Sequence, residues 1–156
     1  MKEQRVYFVT GTDTDVGKTY VTSLLLRQLT KTHTAIGYKP IAAGAQMIDG
    51  QLQNEDAIIL RQSSKPVLSY ERVNPVCFEQ PIAPHIASEK AQKPLLLADL
   101  NYWWQQEKGQ CDIAVIEGAG GWRLPLNDHE HLSDFVIENK LDVILVVGMK
   151  LGCLNH

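Results

Sequence analysis

Cysteine is scarce in this chain: three residues in 156, Cys77, Cys111 and Cys153, odd in number and far apart. With no CxxC spacing, neither a zinc knuckle nor a disulfide framework is indicated, and the thiols read as small buried or half-buried side chains. A long hydrophobic run is also lacking. The longest apolar stretch, residues 143–147, falls far short of the ~20 residues that a membrane-spanning helix needs. Residues 1–10 run straight into a strand-like stretch without a basic start and a long apolar segment, so no leader is read there and a reducing cytoplasm is expected. Neither sign of charge dominates: 15 Lys plus Arg face 18 Asp plus Glu, a formal net charge of −3. That balance gives no general attraction to nucleic acid or anionic lipid, and neither is expected as a partner. An anion bound here must be held by a local site. Repeats, low-complexity tracts and linker-like stretches are absent too.

What is present suffices for a packed core. At 44% hydrophobic residues over 156 positions, the chain reads as one domain, residues 1–156. Residues 5–10 are β-branched and aromatic, end in glycine, and predict a buried strand. Residues 18–29 place Val21, Leu24, Leu25 and Leu29 on one helical face. Residues 35–38 predict a second strand, residues 42–54 a loop, and residues 56–62 a helix. Three prolines, Pro75, Pro81 and Pro84, make residues 72–84 extended or turning. Pro94 suits a helix start, continued over residues 95–108 and carrying Trp103 and Trp104 as packing residues. Residues 112–116 form another buried strand. A helix over 132–139 then precedes a strand over 142–147. Strands alternating with helices predict an α/β fold: a mostly parallel central sheet with helices on both faces. Ligands of such sheets bind at the carboxyl ends of the strands, where the glycine-rich stretches of this chain fall.

The first of these stretches carries the sharpest signal. Gly11, Gly17, Lys18 and Thr19 follow the first strand and open the first helix. Backbone N–H groups of such a loop, together with a helix N-terminus, form a nest for phosphate oxygens. Lys18 would bring a mobile positive charge to the β- and γ-phosphates, and Thr19 a hydroxyl to Mg²⁺. Five residues, Thr12 to Val16, separate the glycines where the common pattern has four. Glu117 ends the strand over 112–116 and precedes Gly118, Ala119, Gly120 and Gly121, a place where P-loop proteins often put a metal-holding carboxylate. Lys39 ends the second strand ahead of Pro40 and the small residues Ala42, Ala43 and Gly44. Read alone it is a surface lysine; at the functional rim of the sheet it becomes a site candidate. Asp56 opens a helix, as a dipole partner or as a second metal carboxylate. His129 and His131, two apart in a polar segment with no third ligand, read as a solvated loop.

Together these residues resemble the dethiobiotin synthetases of biotin biosynthesis. The resemblance runs through residues 7–19, 37–40, 74–75, 81–85, 117–122 and 143–156, in the family's order and over almost the whole chain. It implies a P-loop enzyme that uses ATP and Mg²⁺ to close a cyclic urea from 7,8-diaminononanoate and CO₂. One amine captures CO₂ as a carbamate, the carbamate takes the γ-phosphoryl group, and the second amine attacks and releases phosphate. By the resemblance, Lys39 and Lys18 are catalytic, Lys39 lying at the carbamate and the transferred phosphoryl. Asp15, Val16, Gly17, Lys18, Thr19, Tyr20, Asp56, Glu117, Gly118, Ala119 and Gly120 contact ATP. Thr19, Asp56 and Glu117 hold Mg²⁺. Thr14, Lys39, Ala43 and Pro81 meet the substrate, and residues 81–85 flank its chain. Gly152, Cys153, Leu154 and Asn155 receive its distal carboxylate across the interface of a homodimer.

Two departures from the family pattern stand out. Ala43 occupies a place where the family commonly has serine, which removes a hydrogen bond worth on the order of 1 kcal/mol. The chain also ends at His156, in the first turn of a helix expected from Lys150. By the resemblance the domain is incomplete at its C-terminal end, and adenine contacts lie beyond it. The strand over 142–147 belongs inside the sheet, so the isolated chain is expected to leave an apolar edge uncovered, to bind ATP weakly and to turn over no diamine. Two other readings fit parts of the sequence. A related P-loop amide ligase or partitioning-type ATPase is opposed by residues 37–40 and 81–85. An inactive fragment is favoured by Ala43 and the early end, and opposed by Lys18, Lys39 and Glu117.

Overall fold

A computed structural model describes residues 4–156; the first three residues of the strand-like start lie outside it. Four parallel strands, β1 (Arg5–Gly11), β2 (Ala35–Tyr38), β7 (Ile113–Glu117) and β8 (Asp142–Val146), form the central sheet in the order β2-β7-β1-β8. The register pairs Val9 with Glu117 on one side of β1 and Thr10 with Leu145 on the other. Strand β7 is an unbroken run of buried residues because both its faces are covered. Its side chains alternate: Ala114 and Ile116 join Phe8, Ile36 and Tyr38 in one apolar cluster, while Ile113 and Val115 join Val9, Ala35 and Leu26 in another.

The connections position the site. From β1 the chain passes through α1 (Lys18–Leu29) to β2, stepping over β7; from β7 it passes through α6 (Leu132–Glu138) to β8, stepping over β1. Right-handed crossovers running in opposite directions must lie on opposite faces. Accordingly Leu26 of α1 packs in one cluster and Phe135 and Val136 of α6 in the other. The two connections leave the neighbouring carboxyl ends of β1 and β7 toward opposite faces, the place where such a sheet opens a ligand crevice, here beside the loop at Gly11. Helix α5 (Leu97–Glu107) covers the same face as α6, with Trp104 fully buried and edge-on to Tyr38.

Several expectations need correction. Residues 42–54 are not all loop: β4 (Gln46–Ile48) and β5 (Gln51–Gln53) form an antiparallel hairpin. Its turn, Asp49-Gly50, has both residues at positive φ, 51° and 78°, the geometry of a tight two-residue hairpin. Residues 72–84 contain the end of α3 (Tyr70–Val73) and a two-residue strand, β6 (Val76–Cys77), which pairs with β3 (Ile41–Ala42). Pro84 opens a helix, α4 (Pro84–Ala91), as a first-turn proline can. The next helix starts at Leu97, three residues after Pro94, because the Glu130 side chain accepts from the Leu97 N–H and so caps α5 from a distant loop. On α1, Leu24 is exposed while Thr22, Ser23 and Leu26 are buried. The helix lies close over Gly37, where an added Cβ would fall 2.5 Å from Leu26 Cδ1, so small residues fit on that side. Thr22 returns its hydroxyl to Lys18 O and buries no unpaired group. Helix α2 (Glu55–Gln62) takes its side-chain N-cap from Asn54, leaving Asp56 in the first turn.

Candidate active site

The loop after β1 is shaped by close contacts rather than by glycine content alone. Gly17 caps α1 at φ 97°, in the left-handed region, where a side chain is strained. Val16 packs between two glycines: an added Cβ would meet it at 2.7 Å from Gly11 and at 2.6 Å from Gly148. The N-terminus of α1 has no side-chain cap and no acidic residue in its first turn, so its N–H groups and positive dipole end stay available to an anion. Lys18 is buried and its Nζ donates to Asp13 O at 2.7 Å. Burial lowers the Lys18 pKa below the ordinary lysine value, and the nearby charge of Lys39 pushes the same way.

Glu117 stands at the centre. It is 0% exposed, at the carboxyl end of β7, and its Oε1 accepts from Thr19 Oγ1 at 2.8 Å and from Lys39 Nζ at 2.7 Å. Its Oε2 is buried without a hydrogen-bond partner. Lys39 reaches it from the end of β2 and also donates to Gly118 O at 3.0 Å and pairs with Asp56 Oδ2 at 3.3 Å. Lys39 is not a solvated surface residue; it is 4% exposed. Thr19, Asp56 and Glu117 therefore converge on one small volume. Two carboxylates and a hydroxyl are hard oxygen donors, suited to Mg²⁺ shared with nucleotide phosphates. Among the described residues no three His, Cys, Asp or Glu side chains gather to hold a metal by themselves. The unpartnered Glu117 oxygen and the ammonium group already drawn between the carboxylates show that the place suits a cation.

A cleft of about 700 Å³ joins these groups to a smaller-residue wall. Thr14, Asp15, Gly17, Lys18, Thr19, Tyr20, Lys39, Asp56, Ala119 and Gly120 line it, together with Ala42, Ala43 and Pro81 to Pro84. Val16 and Glu117 are not in the lining, Glu117 being fully buried beneath Lys39 and Thr19, and Gly118 contributes its carbonyl to Lys39. His85 turns away from the cleft, against the expectation for residues 81–85; it lines a separate hollow with Ser88 and Leu126, and its Nδ1 is buried without a partner. Gly152, Cys153, Leu154 and Asn155 lie outside the cleft, mostly exposed, in a short 3₁₀ turn. Asn54 was missed by sequence reading although it lines the cleft, caps α2 and donates to Ala43 O at 3.1 Å. Its Asn-Glu-Asp run at a helix start was the available signal.

A family profile described as an AAA domain matches residues 5–156. An ATP-dependent dethiobiotin synthetase BioD of Pseudoalteromonas translucida is 49% identical over 158 residues, covering 100% of this chain and 68% of the relative. The like-named protein of Alteromonas mediterranea is 50% identical over 165 residues, covering 96% of the chain and 70% of the relative. That of Aeromonas salmonicida is 47% identical over 152 residues, covering 96% and 67%. With this fold, this nest and this degree of identity, the chain belongs to the dethiobiotin synthetase family.

Proposed function

We propose that this chain carries the ATP-dependent dethiobiotin synthesis for which its relatives are named, as a ring closure joining CO₂ to a vicinal diamine of the diaminononanoate type. The carrying observation is one cleft lined by Lys18, Lys39 and Asp56 together with Ala42, Ala43 and Pro81, with the fully buried Glu117 bonded to its Lys39 and Thr19. A diamine amine attacks CO₂ and loses a proton, giving a carbamate. A carbamate oxygen then attacks the γ-phosphorus and the bond to ADP breaks. The second amine attacks the carbonyl carbon, phosphate leaves, a proton is lost, and the cyclic urea remains. Two anions must approach each other in the second step, so fixed positive charge is the main catalytic requirement. Lys18 sits at the nest for the phosphate chain. Lys39 lines the same cleft, and its ammonium is the group to neutralise the carbamate and the moving phosphoryl. Thr19, Asp56 and Glu117 would hold Mg²⁺, which when bound supplies further positive charge to the β- and γ-phosphates. Thr14, Ala43 and Pro81 shape the diamine end. We read Gly152 to Asn155, exposed and outside the cleft, as the part that meets the substrate carboxylate held by a second subunit.

A second reading, a nucleotide-holding part of such an enzyme without turnover of its own, rests on the exposed apolar edge of β8. Val143, Leu145 and Val147 are exposed there, as are Leu151 and Leu154 beyond it. One experiment separates the readings. The protein is incubated with ATP, Mg²⁺, the diamine and ¹³C-bicarbonate. Labelled cyclic urea formed in step with ADP supports the first. Nucleotide binding abolished by Lys18→Ala, with no urea, supports the second. ADP released without need of diamine overturns both in favour of a partitioning-type ATPase.

A further inference from the structure

Two of the three groups assigned above to Mg²⁺, Asp56 and Glu117, also hold Lys39. Its Nζ lies 2.7 Å from Glu117 Oε1 and 3.3 Å from Asp56 Oδ2, and donates to Gly118 O at 3.0 Å. Glu117 is 0% exposed and its Oε1 is further engaged by Thr19 Oγ1. An ammonium ion and a divalent cation cannot both lie within contact distance of the same two carboxylates, one of them fully buried, without strong mutual repulsion. Formal charges sharpen the point. Asp15, Asp56 and Glu117 carry three negative charges, and Lys18 and Lys39, which line the same cleft as Asp15 and Asp56, carry two positive ones. A divalent cation added alone turns the site from net negative to net positive; the same cation arriving with a triphosphate does not. We infer that Lys39 is an internal counter-ion that competes with the divalent cation for Asp56 and Glu117, closing the metal site to free metal and being released into the cleft when metal arrives with nucleotide.

This rests on the reading of Thr19, Asp56 and Glu117 as the metal-holding set, and it adds an order to the site. The lysine wanted at the carbamate is held away from it, against Glu117, until the metal–nucleotide pair takes its place. The ammonium then becomes available beside Ala42, Ala43 and Pro81, where the second anion must form. The long flexible side chain lets one group serve both positions without movement of β2.

Mn²⁺ tests the exchange directly. Free Mn²⁺ is measured by electron paramagnetic resonance in the presence of nucleotide-free protein, for the native chain and for Lys39→Met and Lys39→Gln. Glutamine keeps hydrogen-bond donors toward Glu117 and Gly118 O but lacks the charge, which guards against simple loss of fold. Both variants should bind Mn²⁺ roughly tenfold more tightly or better, since a unit charge a few ångströms away has been removed. A folded Lys39→Gln protein that binds Mn²⁺ no more tightly than the native chain overturns the inference. A native chain that fails to bind Mn²⁺ even with ATP overturns the metal assignment, and the exchange with it. The native protein gives a third readout. The Lys39 ammonium resonance should be unmoved by Mg²⁺ alone and should shift, with faster hydrogen exchange, on adding Mg²⁺ with a non-hydrolysable ATP analogue. A resonance that stays in place with metal and nucleotide bound sinks the idea without any substitution.

Discussion

Between β2, β7 and α2, polar side chains lie in the interior and are held by neighbours; beyond β8, apolar side chains lie at the surface with few contacts. In the interior, Lys39 is gripped at both ends. Its ammonium meets Glu117, Gly118 and Asp56, while its own carbonyl accepts from Asn74 Nδ2. Asn74 Oδ1 accepts from the Tyr70 hydroxyl, which in turn accepts from the Asn54 N–H. Asn54 caps the helix carrying Asp56. This closed circuit of buried groups ties the lysine and one of its carboxylates to a common frame. Outside, residues 147–156 touch the phosphate loop at three points. Gly148 N donates to Thr12 Oγ1, Gly148 packs on Val16, and Lys150 pairs with Asp13 at 3.1 Å. The first region sets geometry by burial, where an unmatched group is costly. The second sets it by a few replaceable contacts in water. Breaking the first should cost stability and site together; breaking the second should shift position and little else.

The largest effect is expected at Glu117. Replacing it with alanine strands Lys39 in the interior with only the half-exposed Asp56 opposite it. Removing one partner of a buried pair costs about 3 kcal/mol or more. Denaturant unfolding should show that loss. Lys39→Met in the same background should recover part of it, because the uncompensated charge is then gone. No recovery in the double variant would mean that Glu117 matters through packing instead.

Next comes the frame behind the lysine. Tyr70→Phe removes a hydroxyl that donates to Asn74 and accepts from Asn54, both buried. Leaving such groups unsatisfied costs about 2 kcal/mol. If the circuit positions Lys39 and Asp56, the variant should also weaken Mg²⁺–ATP binding, measured by calorimetry, beyond what its lower stability explains. Unchanged nucleotide affinity in the folded fraction would reduce the circuit to ordinary core structure.

How much of this was legible beforehand follows the same division. The sheet and the nest with Lys18 and Thr19 follow from apolar runs and from residues adjacent in sequence; Lys39 and Asp56 stand as open candidates on that reading, and the family resemblance singles them out with Glu117. The helix over residues 18–29 was found to the residue because Gly17 ends the loop and a leucine-rich run follows. The hairpin at 46–53 was missed because it buries little and has polar Gln46, Gln51 and Gln53 where alternation would show. Asp49-Gly50 was its only local mark. The start of α5 was misplaced because its cap comes from Glu130, 33 residues away. The Asn54, Tyr70 and Asn74 circuit was invisible for the same reason: three polar residues acquire a joint role only once the fold brings them together. The burial of Lys39 was likewise a tertiary fact, since a lysine at a strand end is ordinarily solvated.

At the outer region the effects shrink. Gly148→Ala would push a methyl group to within 2.6 Å of Val16 Cγ1, and a branched side chain between two glycines has little room to give. Overpacking at this partly exposed contact should cost about 1 kcal/mol. Nucleotide affinity should fall as Val16 and the nest shift with it. A variant with native affinity would show that residues beyond β8 merely rest on the phosphate loop.

The smallest effect belongs to Asp13 and Lys150, both about half exposed. The hydrogen bond and charge of Lys150 lower the Asp13 pKa below 3.8, helped by the Thr14 N–H. An acid with a depressed folded pKa contributes stability that is fully present above its unfolded value and is lost as pH falls through the folded value. The contribution of this pair is therefore present at neutral pH and disappears only in strong acid, below 3.8. Because the pair lies in water, salt should screen it. Global unfolding will barely register Lys150→Ala. The carboxyl carbon of Asp13, followed by NMR titration, will: its midpoint should rise toward 3.8 in the variant and in high salt. Hydrogen exchange of residues 150–156 should quicken at the same time, while residues 113–117 remain unchanged. If exchange at 150–156 were indifferent to loss of the lysine, the salt bridge would be an accident of proximity, and the grip of this segment on the phosphate loop would fall to Thr12 and Val16 alone.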